Sequence, residues 1–421
     1  MNKYILPLYN RLDIAFIKGK KSILFDENKK DYIDFASGVG VNSLGYANKK
    51  VAKTIEKQAK KVLHSSNIYR IKPQEECAKK IVELSTYDMQ CFFCNSGAEA
   101  NETAIKLARK YGNVTFKTPK YKIITIKNSF HGRTIATLKA TAQEDKHKYF
   151  APYPDGFVYA NDINEAISMI DDTTVGVMLE LIQGEGGIFM QDIFQVQRLE
   201  RILKEKKLLL IIDEIQTGVY RSGNFLISQY FGIKPDIVTL AKGLASGIPI
   251  GVMMTNLKNI FIQGDHGSTF GGNPLCTKTA VEVLNILEEN DWFESEVLCY
   301  EPNLFAMLDE NKLKYNKPVN PKFLLANCEN LIAEEGSVLF SSKQIKQHKP
   351  NELPTNIIVI ATTSQMIDSK SDGLSAIKKK YERDYPTNIT TIKYFEKAKV
   401  EDFTQYGSSA KNLYLLLLEN L

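Results

Sequence analysis

This chain lacks the features that would put it in a membrane or on a nucleic acid. No apolar run approaches the roughly 20 residues that a bilayer-spanning helix needs. The opening MNKYILPLYNRLD has no apolar h-region and no small-residue cleavage site, so no secretory leader is expected. Charge of one sign is scarce: the net value is +5 over 421 residues. Lysine-rich pieces such as Lys20–Lys21 and Lys378–Lys380 are short and interleaved with acids, which suits solvated faces rather than a nucleic-acid surface. Repeated cysteine pairs are also missing. Cys77, Cys91, Cys94, Cys276, Cys299 and Cys328 are scattered, mostly in apolar contexts, as expected of reduced thiols in the cytoplasm. Cys91 and Cys94 form one CxxC, but on a strand they would face opposite ways and no second pair follows, so no metal is expected. Arginine runs out late in the chain: after Arg221 only Arg383 remains.

What is present is an ordinary globular composition, 43% hydrophobic and 24% charged, long enough for one large domain and a smaller one. The most informative stretch is LLLIIDEIQTGVYRSGNFLISQYFGIKPDIVTLAKG, residues 208–243. The run Leu208 to Ile212 predicts a buried strand with Asp213 at its end. A second run, Ile237 to Leu240, precedes Lys242 and Gly243. In open parallel sheets the strand ends face the ligand crevice. One carboxylate and one amine are therefore aimed at the same place. Pyridoxal phosphate chemistry needs that pair: a lysine for the Schiff base and an acid for the pyridinium nitrogen. Taken singly, Asp213 would suit a helix cap and Lys242 the surface. Together, and with Gln216 three positions after Asp213, they favour the cofactor.

A second motif is CFFCNSGAEANE, residues 91–102. A short strand should end at Asn95 and a helix should run from near Gly97 to about Tyr111. Ser96, Gly97 and Ala98 then offer free backbone N–H groups at a helix N-terminus, an anion site suited to a phosphate. A strand over Ile123–Ile126 leads to NSFHGRT, where Phe130 could cover a ring face. Arg133 is a candidate fork for a carboxylate, and His131 reads as a packing residue rather than a base. The strand from Val175 to Ile182 ends in QGEGG, which leaves Glu185 on a flexible turn; Glu180 lies within the strand and is the weaker candidate. Near residue 270, GDHGSTFGGNPL offers the hydroxyls of Ser268 and Thr269 on a glycine-rich turn, and a helix from Pro274 to Glu289 follows.

These motifs resemble the class III aminotransferases, of ornithine and acetylornithine type, among the fold-type I pyridoxal-phosphate enzymes. The likeness covers about the first three hundred residues. It implies an α/β fold: a large domain with a mainly parallel sheet flanked by helices, binding pyridoxal 5'-phosphate. It also implies roles. Lys242 would be the Schiff-base lysine, Asp213 the partner of the pyridine nitrogen and Gln216 that of the ring hydroxyl. Phe130 would stack on the ring, and Ser96, Gly97 and Ala98 would seat the phosphate. Arg133 and Ser268 would orient substrate, and Glu185 would swing aside when glutamate binds. Thr269 would touch the phosphate of a partner subunit, in a homodimer whose HSSNIY loop, residues 64–69, lines the shared entrance.

The resemblance stops near Tyr300. The family's small domain carries an arginine for the incoming glutamate, and no matching segment follows. Instead AEEGSVLFSS and LPTNIIVIATTSQ resemble the C-terminal half of a lactate-utilisation (LUD) domain. Strands are expected at Ser337–Phe340 and Asn356–Ala361, and helices at Gly373–Arg383 and near the C-terminus. The expected organisation is an N-terminal arm and hairpin over residues 1–45, a cofactor-binding large domain over 46–300, and an atypical α/β segment over 301–421 in place of the usual small domain. The resemblance implies transamination of N2-acetylornithine or N2-succinylornithine with 2-oxoglutarate, in arginine biosynthesis. The alternatives are ornithine or 4-aminobutyrate as donor, a chimeric chain that binds the cofactor but turns over poorly, and a LUD-type lactate-utilisation role.

Overall fold

The computed structural model describes residues 4–289, 296–310, 313, 315, 318, 321–354, 356–392 and 412–418. The chain divides into two compact units, Met1–Glu289 and Asn290–Leu421.

The first unit opens with three antiparallel strands, β1 (Phe16–Lys20), β2 (Ile23–Asp26) and β3 (Asp31–Ile33). Its main sheet uses β4 (Gln90–Cys94), β5 (Lys122–Ile126), β6 (Phe157–Ala160) and β7 (Thr174–Leu179). A two-strand hairpin, β8 (Ile182–Gln183) with β9 (Phe189–Met190), stands apart from it. The sheet is completed by β10 (Leu209–Asp213), β11 (Ile237–Leu240) and β12 (Gly251–Thr255). The strand order is β4-β12-β11-β10-β7-β5-β6, and only β12 runs against its neighbours.

Helices cover both faces of this sheet, so its strands must be apolar on both sides. The strand β10 obeys that rule. Leu208, Leu210 and Ile212 pack into the cluster with Val196, Leu199 and Leu203 of the helix Ile193–Glu205. Leu209 and Ile211 pack on the other face, against Ala104, Ile105, Leu107 and Ala108 of the helix Gly97–Thr115. That helix extends one turn beyond the expected Tyr111. The helix Pro274–Glu289 forms as expected, and with Lys72–Ser85 it joins a third cluster that includes Leu240 and Val252.

In the second unit, β13 (Val297–Leu298), β14 (Phe323–Asn327), β17 (Asn356–Thr362) and β20 (Asn412–Leu418) form a parallel sheet in that order. A second sheet has the order β18 (Met366–Ile367), β15 (Asn330–Ile332), β16 (Ser337–Ser341), β19 (Ile389–Ile392). Residues 297–298, assigned from sequence to the large domain, pair here with β14. The strands expected in this region form. The helix expected over Gly373–Arg383 runs from Lys370 to Lys380. The helix expected near the C-terminus is a correction: residues 412–418 are a strand paired with β17. NLYLLLL is apolar almost throughout, and a run of that length has no period that separates a buried strand from a helix. The rest of the expected C-terminal helix lies outside the described residues. Among the described residues no helix is long and apolar enough to cross a membrane.

Candidate active site

Five parallel strands of the main sheet end at one cavity of about 410 Å³. The C-terminal end of β4 delivers Ser96, Gly97 and Ala98, and β5 leads to Phe130, His131 and Arg133. Glu180 and Glu185 follow β7, β10 ends in Asp213, and β11 leads to Lys242. All of these line the cavity, as does Gln216. The expectation that strand ends would bring Asp213 and Lys242 together is met by the register: β10 and β11 are adjacent, with Asp213 opposite Thr239. Ser268 and Thr269 are not among the lining residues.

Asp213 is almost fully buried and is held from three sides. Asn101 Nδ2 donates to its Oδ2 at 2.7 Å, His131 Nδ1–H donates to the same oxygen at 2.8 Å, and the Ile215 N–H donates to Oδ1 at 3.0 Å. Asn101 Nδ2 also reaches the His131 carbonyl at 2.7 Å, which ties the three residues into one unit. The His131 Nε2 and Asn101 Oδ1 atoms are buried without a hydrogen-bond partner. Neither residue was given a site role from sequence. Asn101 stood in plain view, because it precedes Ala104 and Ile105 by one helical turn on the inner face of its helix.

Lys242 is half-buried and begins a short 3-10 turn with φ 38, a left-handed conformation unusual for a side chain with a Cβ. Burial pushes its pKa below the ordinary lysine value, against the pull of Asp213, Glu185 and Glu180. The amine is thus more readily available as a nucleophile.

Glu180 corrects the sequence reading. It sits just past the end of β7, lines the cavity, and is buried. Its Oε2 accepts from the Phe130 N–H at 2.9 Å and its Oε1 from the Gly184 N–H at 3.4 Å. It therefore ties the Phe130 loop to the turn that carries Glu185. Burial raises its pKa to about 7; the nearby Asp213 charge adds to the rise and His131 opposes it. Glu185 itself is exposed, on the turn between β8 and β9.

Ser96 caps the helix Gly97–Thr115 through its Oγ, which accepts from the Glu99 N–H at 3.2 Å. Side chains are excluded nearby. A Cβ on Gly97 would lie 2.8 Å from Ile215 Cδ1, and one on Gly251 would overlap the Ser96 carbonyl. The result is a narrow cradle of backbone at a helix N-terminus, which favours an anion. Phe130 carries the Arg133 guanidinium over its ring, 5.5 Å from the centroid. Farther out, Asn67 Nδ2 donates to the carbonyls of Ser268 at 3.0 Å and Gly271 at 2.9 Å, so the HSSNIY loop and the GSTFGG turn pack together. Asn95 Nδ2 reaches Ser268 Oγ at 3.2 Å.

The architecture is that of the fold-type I pyridoxal-phosphate transferases. Among solved structures, the ornithine aminotransferase of Toxoplasma gondii ME49 superposes with a TM-score of 0.66 at 29% identity, covering 83% of this chain and 82% of that one. A Bacillus anthracis aminotransferase does so at 0.65 and 26%, covering 72% and 74%. Residues 7–319 match the family described as Aminotransferase class-III. The acetylornithine aminotransferase of Wolinella succinogenes is 54% identical over 317 residues, 72% of this chain and 81% of its own length. That of Aquifex aeolicus is 46% identical over 315 residues, 74% and 84%. This chain belongs to the class-III aminotransferases.

Proposed function

We propose that this chain transfers the δ-amino group of N2-acetylornithine to 2-oxoglutarate, giving the N-acyl glutamate semialdehyde and glutamate, in arginine biosynthesis. The observation that carries the reading is the convergence of Lys242 and Asp213, from neighbouring strand ends, on a cavity with an anion cradle on its wall. The residues present fit pyridoxal 5'-phosphate: an amine eased toward its neutral form, a buried carboxylate, a helix N-terminus cleared of side chains, and an aromatic ring. When bound, that cofactor supplies an aldehyde and a ring able to accept electrons.

The chain's own groups do the rest. Lys242 would hold the cofactor through its amine and would move a proton at the substrate carbon that bears the transferred nitrogen. Asp213 would hold the ring nitrogen, and Asn101 and His131 keep the carboxylate in place. Gln216 would donate to the ring hydroxyl, and Phe130 would cover the ring and keep water from it. Ser96, Gly97 and Ala98 would seat the phosphate. Arg133 orients a substrate carboxylate, and Glu185 moves on its turn as the two substrates exchange. Ser268 and Thr269 serve the site of a second copy, in a homodimer. Exposed Ile68, Tyr69 and Phe270, beside the packed HSSNIY and GSTFGG segments, support such an interface. Six free thiols among the described residues, most of them buried, support a cytoplasmic setting. The acyl group is proposed as acetyl from the names of the relatives; succinyl is the variant to test beside it.

A second reading is a chimeric chain that binds the cofactor but turns over poorly. It is favoured by the shortage of arginine beyond Arg221, and by the likeness of AEEGSVLFSS and LPTNIIVIATTSQ to a lactate-utilisation domain. One experiment separates the two. The purified chain is loaded with cofactor and its long-wavelength absorbance followed. N-acetylornithine alone should bleach the band, and 2-oxoglutarate should restore it. A band that never bleaches favours binding without turnover, and absence of any band overturns the enzyme reading.

A further inference from the structure

The turn GDHGSTFGG, residues 264–272, is fastened at two levels to the helix Gly97–Thr115, whose N-terminus forms the anion cradle. At the first level the link is Asn95, which lines the cavity. Its N–H and its Nδ2 donate to Glu99 Oε2 at 2.9 and 2.8 Å, and Nδ2 also reaches Ser268 Oγ at 3.2 Å. The Gly271 N–H donates to the same Oγ at 3.0 Å. A Cβ on Gly271 would overlap the Phe93 carbonyl, so the turn packs directly on the end of β4 that leads into the cradle.

At the second level the helix presents Thr103, Lys106 and Lys110, a stripe at helical spacing. Lys110 pairs with Asp265, and Lys106 Nζ donates to the Asp265 carbonyl at 3.0 Å. Lys106 Nζ also stands 2.9 Å from His266 Nδ1. An ammonium can only donate, so Nδ1 accepts and the ring carries its proton on Nε2. That N–H donates to Thr103 Oγ1 at 2.9 Å, and the buried Thr103 hydroxyl donates in turn to the Glu99 carbonyl at 2.8 Å. Glu99 is thus held by the turn from both ends, through Asn95 at its carboxylate and through Thr103 at its backbone. Phe92 of β4 and Phe261 lie beside the imidazole, with ring centroids 5.0 and 6.2 Å away.

We infer that His266 is a positioning residue for the anion cradle: neutral, with its proton on Nε2, it pins the turn to the helix and so stiffens the first turn that seats the cofactor phosphate. Resting on the cofactor reading proposed above, it names a group outside the cavity on which retention of that cofactor depends. The charged groups that face the ring are Lys106, Glu102 and Glu99, all on the helix; Asp265 and Lys110 pair with each other beside it. Burial and the Lys106 charge push the His266 pKa below the ordinary 6.5, against the pull of Glu102 and Glu99. A protonated ring would turn an N–H toward the Lys106 ammonium, and the repulsion would loosen the turn.

The test measures the Kd of pyridoxal 5'-phosphate for the cofactor-free chain, read from its long-wavelength absorbance. The His266 ring is titrated by NMR, and the Kd is taken on either side of its midpoint. His266→Phe keeps a ring beside Phe92 and Phe261 but removes both polar contacts. Above the midpoint its Kd should exceed that of wild type about threefold to tenfold, the loss expected for one or two hydrogen bonds. Below the midpoint the two should converge, because wild type has then lost the same contacts. Equal Kd values above the midpoint overturn the assignment. So does a ratio that is the same on both sides, which leaves His266 a packing ring and nothing more. Lys106→Gln removes a charge from an exposed position and should move the midpoint to higher pH, with the fall in cofactor affinity following it. Should His266→Phe fail to fold, Lys106→Gln decides alone: an affinity fall that moves with the midpoint supports the pin, and one that stays in place overturns it. A wild-type chain that never develops the band overturns the cofactor reading and this inference together.

Discussion

The sharpest consequence of the site concerns Glu180→Gln. In the folded chain this carboxyl has a pKa of about 7, against an ordinary 4.5. A raised pKa means that the folded state binds the proton more tightly than the unfolded state does. The contribution to stability is therefore fully present below about pH 4.5 and is lost as pH rises to about 7. At about 1.4 kcal/mol per pH unit, the gap corresponds to about 3 kcal/mol. Glutamine has nearly the same shape and cannot ionise. Its carbonyl can still accept from the Phe130 N–H, while the weaker contact with the Gly184 N–H is lost. The variant should be slightly less stable than wild type at pH 4.5 and more stable at pH 8. Relative to wild type it should gain about 3 kcal/mol across that range. The measurement is urea unfolding of the cofactor-free chain at several pH values, followed by circular dichroism. Parallel pH profiles for the two proteins would refute a charge confined at Glu180.

Other perturbations test other parts of the molecule. Asp213→Asn should keep the fold and, on the proposed role of this carboxylate, lower turnover about a hundredfold or more, since it removes a buried charge at the cavity wall; stopped-flow bleaching by N-acetylornithine measures it. Gly251→Ala should cost about 1–3 kcal/mol and weaken cofactor retention, because its Cβ would overlap the Ser96 carbonyl; equilibrium dialysis against cofactor reads the second effect. Capture of the cofactor aldehyde should reach its plateau rate at a lower pH than an ordinary lysine requires, because burial lowers the Lys242 pKa. In the second unit, Glu329→Ala should cost about 2–4 kcal/mol in thermal unfolding, since Ser341, Gln344, Lys380 and Tyr381 all direct donors at that buried carboxylate.

The meeting of Asp213 and Lys242 at one cavity was legible because both follow strands that short apolar runs announce. Asp213 after Ile212 and Lys242 after Leu240 needed only the rule that strand ends face the crevice, and the register of β10 on β11 supplies the rest. Side chains that act through others were harder to find. His131 and Asn101 matter because of where Asp213 stands, a relation between positions far apart in the chain. Glu180 was hidden by a boundary: the apolar run suggested that the strand continued to Ile182, whereas β7 ends at Leu179 and frees the next residue to face the cavity. The C-terminal region failed for a different reason. A continuous apolar segment such as NLYLLLL can be buried as either element, and its neighbour β17 decides.

The two-faced packing of β10 has a consequence for how this protein can vary. Leu208, Leu210 and Ile212 serve one layer while Leu209 and Ile211 serve the other. Exchanging one aliphatic residue for another there disturbs a few contacts. Adding or deleting a single residue would send every side chain of the segment to the wrong layer and swing Asp213 away from the cavity. Sequence drift in this strand should therefore take the form of substitution, while changes of length accumulate in surface turns such as the one between β8 and β9.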